Sequence, residues 1–168
     1  MRLIAIFFVL VITGCGYHTP GAYDTWVGGE ARTLYVQLFD NQTVEPYLEN
    51  YLTDALIAEL ALSRLLELTE DPGKAEVRLV GEVKTFTDTA RSYGNSDQIT
   101  EYSATMAITV RLLHKNSSEI VWQKNLTRSE DYLATINKNL QLEGQRLAAI
   151  RVSQRLAEDI HASMLNSF

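Results

Sequence analysis

The 168-residue sequence contains one cysteine, three prolines and three histidines, and its acidic residues outnumber its basic ones. With Cys15 as the only thiol, no disulfide can form within the chain, so the core must stabilise the fold. The net charge of −6 lacks the basic excess that phosphate contacts require, which argues against a nucleic-acid partner. After the first 14 residues, no apolar stretch approaches the roughly 20 residues that span a membrane.

Motifs for catalysis and metal binding are also missing from the sequence. The histidines, His18, His114 and His161, are far apart, and no His or Cys pair has the spacing of metal ligands. No glycine-rich phosphate loop follows a predicted strand, and no serine lies in a nucleophile-elbow motif. Neighbouring carboxylates such as Glu130-Asp131 are explained more simply as solvated turn residues. We therefore expect a binding or assembly module without a cofactor or a metal, not an enzyme.

The first residues have the features of an export signal. Arg2 precedes an apolar run from Leu3 to Ile12, and small residues precede Cys15. This arrangement resembles the bacterial lipoprotein signal, in which the leader is removed before the cysteine and the thiol carries diacylglycerol. We predict a signal peptide at residues 1–14 and a lipid anchor at Cys15. The alternative, an ordinary secretory signal with a chance cysteine, is disfavoured because the only cysteine falls at this position.

Residues 15–31 are interpreted as a lipidated tether, because they are rich in glycine and contain several aromatic residues. In enterobacterial sorting, an aspartate after the anchor cysteine keeps a lipoprotein in the inner membrane. Gly16 occupies this position, so the chain resembles outer-membrane cargo. Several acyl chains on Cys15 would make the anchor lasting.

Residues 32–168 are predicted to form a single domain with one core. A period of two predicts four strands, over Thr33 to Phe39, Ala75 to Phe86, Ile99 to Lys115 and Glu119 to Thr127. Between the second and third strands, Thr87 to Asp97 is predicted to be a polar hairpin loop. In the fourth strand, Ile120 and Trp122 are expected to face inward. Lys124 interrupts this inner face, which indicates a bulge or a sheet edge.

Two segments have the period of a helix. The first starts at Tyr47, and its predicted apolar face comprises Leu48, Leu52, Ala55, Leu56, Leu62 and Leu66. The second extends from about Asn137 to Asn166, and its stripe comprises Ala149, Val152, Leu156, Ile160 and Met164. Because each strand has one apolar face, both helices are expected on the same side of the sheet. The order β-α-β-β-β-α therefore predicts an α+β fold, a two-layer sandwich of a four-stranded mixed sheet with two helices packed on one face.

Several segments resemble the LptE family of lipopolysaccharide-assembly lipoproteins. They are Gly14 to Tyr17, Leu34 to Asn41, Leu52 to Leu56 and Arg155 to Ile160. The resemblance implies a protein without catalytic activity that plugs the β-barrel LptD, helps to assemble it and binds lipopolysaccharide during transport to the outer leaflet. It also implies attachment to the cell outer membrane through the acylated Cys15, with the domain facing the periplasm and the barrel lumen.

Lipopolysaccharide offers phosphates and acyl chains, so its binding site should combine cations with exposed apolar atoms. The sheet face that the helices leave open carries basic side chains, and the hairpin between the second and third strands lies beside it. The candidate lipopolysaccharide-binding residues, chosen by charge and expected position, are Lys84, Arg91, Arg111 and Lys115.

A second class of function stays open at this point. The strand from Leu34 to Asn41, which ends in Phe-Asp-Asn, also resembles the opening of periplasmic lipoproteins that activate cell-wall synthases or build secretion pores. A protein of that class would co-purify with an inner-membrane synthase or assemble into rings, whereas an LptE-like protein would co-purify with one very large β-barrel.

Overall fold

The computed structural model describes residue 29 and residues 31–63, 66–94, 97–115 and 119–165. In these ranges the elements, in chain order, are β1 (Thr33–Val36), β2 (Asp40–Asn41), α1 (Leu48–Leu60), β3 (Glu67–Leu68), β4 (Val77–Tyr93), β5 (Ile99–His114), β6 (Ile120–Leu133) and α2 (Lys138–Leu165). Cys15 and nearly all of the predicted tether lie outside the described residues, so the signal, the anchor and the domain boundaries stay predictions.

The strands form one mixed sheet in the order β3-β1-β4-β5-β6, and β2 pairs with β4 beyond the end of β1. β1 is parallel to β4, with Leu34 opposite Val77 and Val36 opposite Leu79, as the connection through a helix allowed. β4, β5 and β6 are antiparallel neighbours. The α+β prediction is confirmed, but the described sheet has six strands, because the two-residue strands β2 and β3 were too short to show a period.

One face of the sheet, here called the inner face, forms the core together with both helices. Val83 of β4 and Val110 of β5 are fully buried there. α1 contributes a row of fully buried leucines, Leu48, Leu52, Leu56 and Leu60. α2 contributes the whole predicted stripe, Ala149, Val152, Leu156, Ile160 and Met164. Burying a leucine-sized side chain stabilises a fold by about 1.5–3 kcal/mol, so these two rows account for much of the stability.

Two strands are longer than we predicted. β4 continues to Tyr93 and β6 continues to Leu133, so most of the segment expected as a polar loop is strand. Their polar side chains face solvent, but their backbones are paired with the first half of β5 along the whole extension. A small second core of Ala104, Tyr132 and Ala148 holds this extension against the first half of α2.

Two details of the predicted faces are wrong. α1 ends at Leu60, which leaves Leu62 78% exposed beyond the helix. A register shift after Leu112 turns Ile120 outward, whereas Trp122 is buried as expected. Lys124 does lie on an edge strand, which confirms one of the two explanations for the interrupted inner face.

No helix in the described ranges is both long enough and apolar enough to cross a membrane. α2 has the required length, with 28 residues, but charged side chains occur throughout its exposed face.

Gly81 shows how closely the core is packed. Gly81 lies on the inner face of β4, and a Cβ atom placed there would be 2.0 Å from the ring of Phe39. Phe39 is only 2% exposed, so its ring has little room to move away. The position therefore requires glycine for steric reasons.

We predict that Gly81→Ala destabilises the domain by about 1–3 kcal/mol, because the added methyl overpacks the core. The expected fall in melting temperature is about 3–10 °C, measured by circular dichroism. The double variant Gly81→Ala/Phe39→Leu is the control, and it should recover part of the loss. An unchanged melting temperature for Gly81→Ala would show that Phe39 does not occupy this place.

Candidate functional site

The second face of the sheet, here called the open face, carries the polar side chains of the candidate site. The helices cover only the inner face, so the alternate side chains of β4, β5 and β6 meet solvent. Three cross-strand hydrogen bonds join short polar side chains from β5 to β6. They are Thr105–Ser129 at 2.9 Å, Thr109–Asn125 at 2.9 Å and Ser103–Asp131 at 2.7 Å. These bonds give the β5–β6 part of the open face a row of short polar side chains.

Lys84 and Arg111, two of the four candidate residues, meet at one carboxylate on this surface. Glu82 of β4 forms ion pairs with both cations, and Lys84 also donates a hydrogen bond to Oε1 of Gln42 at 3.2 Å. The hydrogen bond from Lys84, followed by the charge of Arg111, lowers the pKa of the Glu82 carboxyl. Asp40 of β2 lies opposite Glu82, and the Gln42 amide reaches both carboxylates, so the two cations lie beside two carboxylates and their charges balance locally.

Lys84 reaches its partners because it is a bulge residue. Val83 lies opposite Ile108 and Thr85 lies opposite Ala107, so Lys84 has no residue opposite it on β5. A bulge redirects a side chain relative to the regular alternation of the strand. Arg91 is the extra residue of a second bulge, between Ala90 and Ser92.

Arg91 lies far from the first pair of cations. Seven residues of strand separate it from Lys84, which is roughly 23 Å. Arg91 forms an ion pair with Asp131 of β6, and the pKa of the Asp131 carboxyl is lowered, chiefly by the hydrogen bond from Ser103 and then by Arg91. Arg91 is thus the candidate that lies next to the β4–β5 hairpin.

Lys115 lies at the opposite end of the sheet from that hairpin. Its ammonium group donates a hydrogen bond to the backbone carbonyl of Gly73, in the loop before β4. The structure therefore brings together Lys84 and Arg111, and it separates both of them from Arg91 and from Lys115. The single basic patch that we expected is divided into three places.

An exposed apolar group surrounds the Arg91 end of the sheet, and the sequence did not reveal it. The residues, here called the apolar tip, are Tyr93, Leu133, Ile136 and Leu140, which are 63%, 74%, 99% and 60% exposed. Tyr93 ends β4 and Leu133 ends β6, so both lie beside the hairpin. Exposed apolar side chains gathered at one end of a sheet can mark a contact surface. We had assigned the Tyr93 segment to a polar loop, which concealed this feature.

The acidic partners of the cations were also missed, and the interpretation of Glu130-Asp131 as solvated turn residues is wrong, because both lie in β6 and form ion pairs. Glu82 is only two residues from Lys84, so their proximity was visible in the sequence. Asp131 is 40 residues from Arg91, and only the pairing of β4, β5 and β6 brings them together. Among the described residues, no group of three or more His, Cys, Asp or Glu side chains is arranged to hold a metal ion. The site offers charge-assisted hydrogen bonds to anions, beside an apolar surface.

Comparisons with known proteins identify a family by one route and a shared fold by another. A family model described as LptE, lipopolysaccharide-assembly, matches residues 31–164. Rare lipoprotein B from Shewanella oneidensis has a similar structure, with a TM-score of 0.56 and 13% identity over 81% of this chain and 96% of that chain. The hypothetical protein CT253 from Chlamydia trachomatis has a TM-score of 0.56 and 12% identity over 82% and 99% of the two chains. At such identities the likeness shows a shared fold alone. No curated protein matches the sequence significantly.

The lowered pKa of Glu82 can be tested directly. Because the folded-state pKa is lowered, the stability that these contacts contribute is present above the unfolded pKa and is lost as the pH falls through the folded pKa. Lys84→Met should raise the pKa of Glu82 toward its ordinary value, as measured by a carbon-detected NMR titration. Lys115→Met, which removes a cation at the far end of the sheet, should leave that pKa unchanged. Equal effects of both substitutions would contradict the assignment.

Proposed function

The chain belongs to the LptE family, and we propose from this membership that it is an outer-membrane lipoprotein that plugs and helps to assemble the β-barrel LptD. We further propose that it binds lipopolysaccharide during transport to the outer leaflet. The observation that carries the proposal is the family match over residues 31–164, which contains every described strand and nearly all of α2. The match also favours lipopolysaccharide assembly over the alternative of a synthase activator or a secretion-pore subunit.

The open face supports the plugging role. The lumen of a large membrane β-barrel is polar, so a plug must present polar atoms to the barrel wall. The inner face is already filled by α1 and α2, whereas the open face offers hydroxyl, amide and carboxylate groups that no described segment covers. The open face is therefore the broad surface that suits contact with the barrel.

The Arg91 end of the sheet is the place best suited to lipopolysaccharide. Arg91 is exposed and its guanidinium has more donors than its ion pair with Asp131 uses, so a lipid phosphate can join or replace that carboxylate. Tyr93 and Leu133 of the apolar tip lie beside it and offer apolar surface to acyl chains. Lys84 and Arg111, with their shared Glu82, offer a second pair of hydrogen-bond donors for an anion on the same open face.

β1, the first strand after the predicted tether, and the apolar tip lie at opposite ends of the sheet. β1, which follows the tether, pairs with the first residues of β4, from Val77 to Leu79. Tyr93 is 16 residues further along β4, which is roughly 50 Å. With Cys15 held in the inner leaflet of the outer membrane, this length allows the tip to reach deep into a barrel lumen.

The partner can be identified by a pull-down of the tagged full-length chain from outer-membrane extract. One very large β-barrel should co-purify with it, and a Cys15→Ala variant should lose its outer-membrane fraction. An unrelated tagged outer-membrane lipoprotein is the control. Recovery of an inner-membrane cell-wall synthase, or of rings of this chain, in place of the barrel would refute the proposal.

Arg91→Glu should weaken binding of purified lipopolysaccharide about tenfold or more, because a favourable charged hydrogen bond becomes a repulsion. The measurement is isothermal titration with the detergent-solubilised chain. Lys74→Glu makes the same change of charge at a 78% exposed lysine at the far end of the sheet, and it should bind like the unaltered chain. Equal losses in both variants would indicate a general effect of charge and would remove Arg91 from the site.

A further inference from the structure

β6 is the long free edge of the sheet. In the described part of the chain the strand order ends at β6, which extends for 14 residues from Ile120 to Leu133. The outward backbone groups of an edge strand can pair with another strand. β6 is long enough to support a specific pairing, since most strands in sheets contain only about 5–6 residues.

Lys124 restricts which strand can pair with β6. It lies opposite Val110 in the inner-face row, yet it is exposed, and none of the described residues forms an ion pair with it. Two further charges follow in the same row. Arg128 is paired with Asp159, and Glu130 accepts contacts from Arg151 and Arg155 at 3.3 and 3.0 Å. Inward-facing charges on an edge oppose pairing with an apolar strand, so the edge selects a partner with matching charges.

The sequence of β6 is complementary to itself about Thr127. At two to five residues from Thr127, the side chains at equal distances on its two sides match in chemistry. The matched pairs are Asn125 with Ser129, Lys124 with Glu130, Gln123 with Asp131 and Trp122 with Tyr132. From this pattern and the free edge, we propose that two copies of the chain associate by antiparallel pairing of their β6 strands, with Thr127 of each copy opposite Thr127 of the other.

The proposed pairing gives Lys124 the ionic partner that it lacks within one chain. A two-fold axis perpendicular to the sheet keeps the inner faces of both copies on the same side and joins the two sheets into one. Lys124 of each copy then lies opposite Glu130 of the second copy, which gives two ion pairs. Leu126 lies opposite Arg128, whose aliphatic stem can cover it. Asn125 and Ser129 meet on the open face, where amide and hydroxyl groups can form hydrogen bonds.

This inference goes beyond the proposed function and does not rest on it. Self-pairing requires only the free β6 edge and its symmetry, whereas the barrel and lipopolysaccharide proposals rest on the family, the open face and the apolar tip. A negative result for self-pairing therefore leaves the barrel and lipopolysaccharide proposals intact, and a negative result for those proposals leaves self-pairing intact.

Single cysteines can test the register. Directly opposed residues in an antiparallel pair have Cα atoms about 4.5–5.5 Å apart, which suits a disulfide. Full-length Thr127→Cys, oxidised in detergent, should therefore form a covalent dimer on a non-reducing gel. Asn125→Cys and Ser129→Cys should not form dimers alone, since each of these positions lies roughly 13 Å from the same position in the second copy. A mixture of these two variants should cross-link. The chain without an added cysteine controls for Cys15.

A change of charge gives an independent test in solution. Lys124→Glu replaces each of the two Lys124–Glu130 ion pairs in the dimer with a pair of facing carboxylates. The dimer dissociation constant, measured by sedimentation equilibrium, should therefore rise about tenfold or more. Lys138→Glu, at the start of α2, should not change it. The proposal is wrong if the unaltered chain stays monomeric throughout the concentration series. It is equally wrong if Asn125→Cys and Ser129→Cys each cross-link alone as well as Thr127→Cys does.

Discussion

The burial of one sheet face is the constraint on which the rest of this structure depends. The leucine row of α1 and the stripe of α2 are both buried against the same side of β4 and β5. Because the free energy of unfolding of a domain is only about 5–15 kcal/mol, the loss of a few of these side chains would remove most of it. The chain has one cysteine and so no internal disulfide to compensate. Among the described residues, one-sided burial also leaves the open face and the β6 edge without a covering layer, and these are the surfaces that can meet partners.

The periodicity of the sequence predicted the core well but not the extent of the sheet. The α2 stripe followed from the helical period. The connection length allowed a parallel β1, and the interrupted inner face at Lys124 indicated either a bulge or an edge. The extensions of β4 and β6 could not be derived, because their threonines and charged residues face solvent and are held by backbone pairing with β5. Pairing between distant segments of this kind leaves little trace in a local pattern.

The bulges explain why the candidate site was only partly predictable. Simple alternation gives no sign that Lys84 and Arg91 are extra residues, yet both bulges decide where these side chains point. One bulge lets Lys84 share Glu82 with Arg111, and the other directs Arg91 to Asp131. The cations are therefore held by carboxylates in separate places. An anionic ligand must compete with these carboxylates, which favours a ligand that also gains apolar contacts at the tip.

The central claim, that the open face meets the barrel, can be tested by maleimide labelling of Thr87→Cys, an exposed position opposite Thr105. Glu158→Cys, on the exposed side of α2, is the matched control. Both cysteines should react rapidly in the free protein. In the proposed complex with LptD, once purified, Thr87→Cys should become protected while Glu158→Cys stays reactive. If Thr87→Cys reacts equally fast in both states, the open face does not contact the barrel.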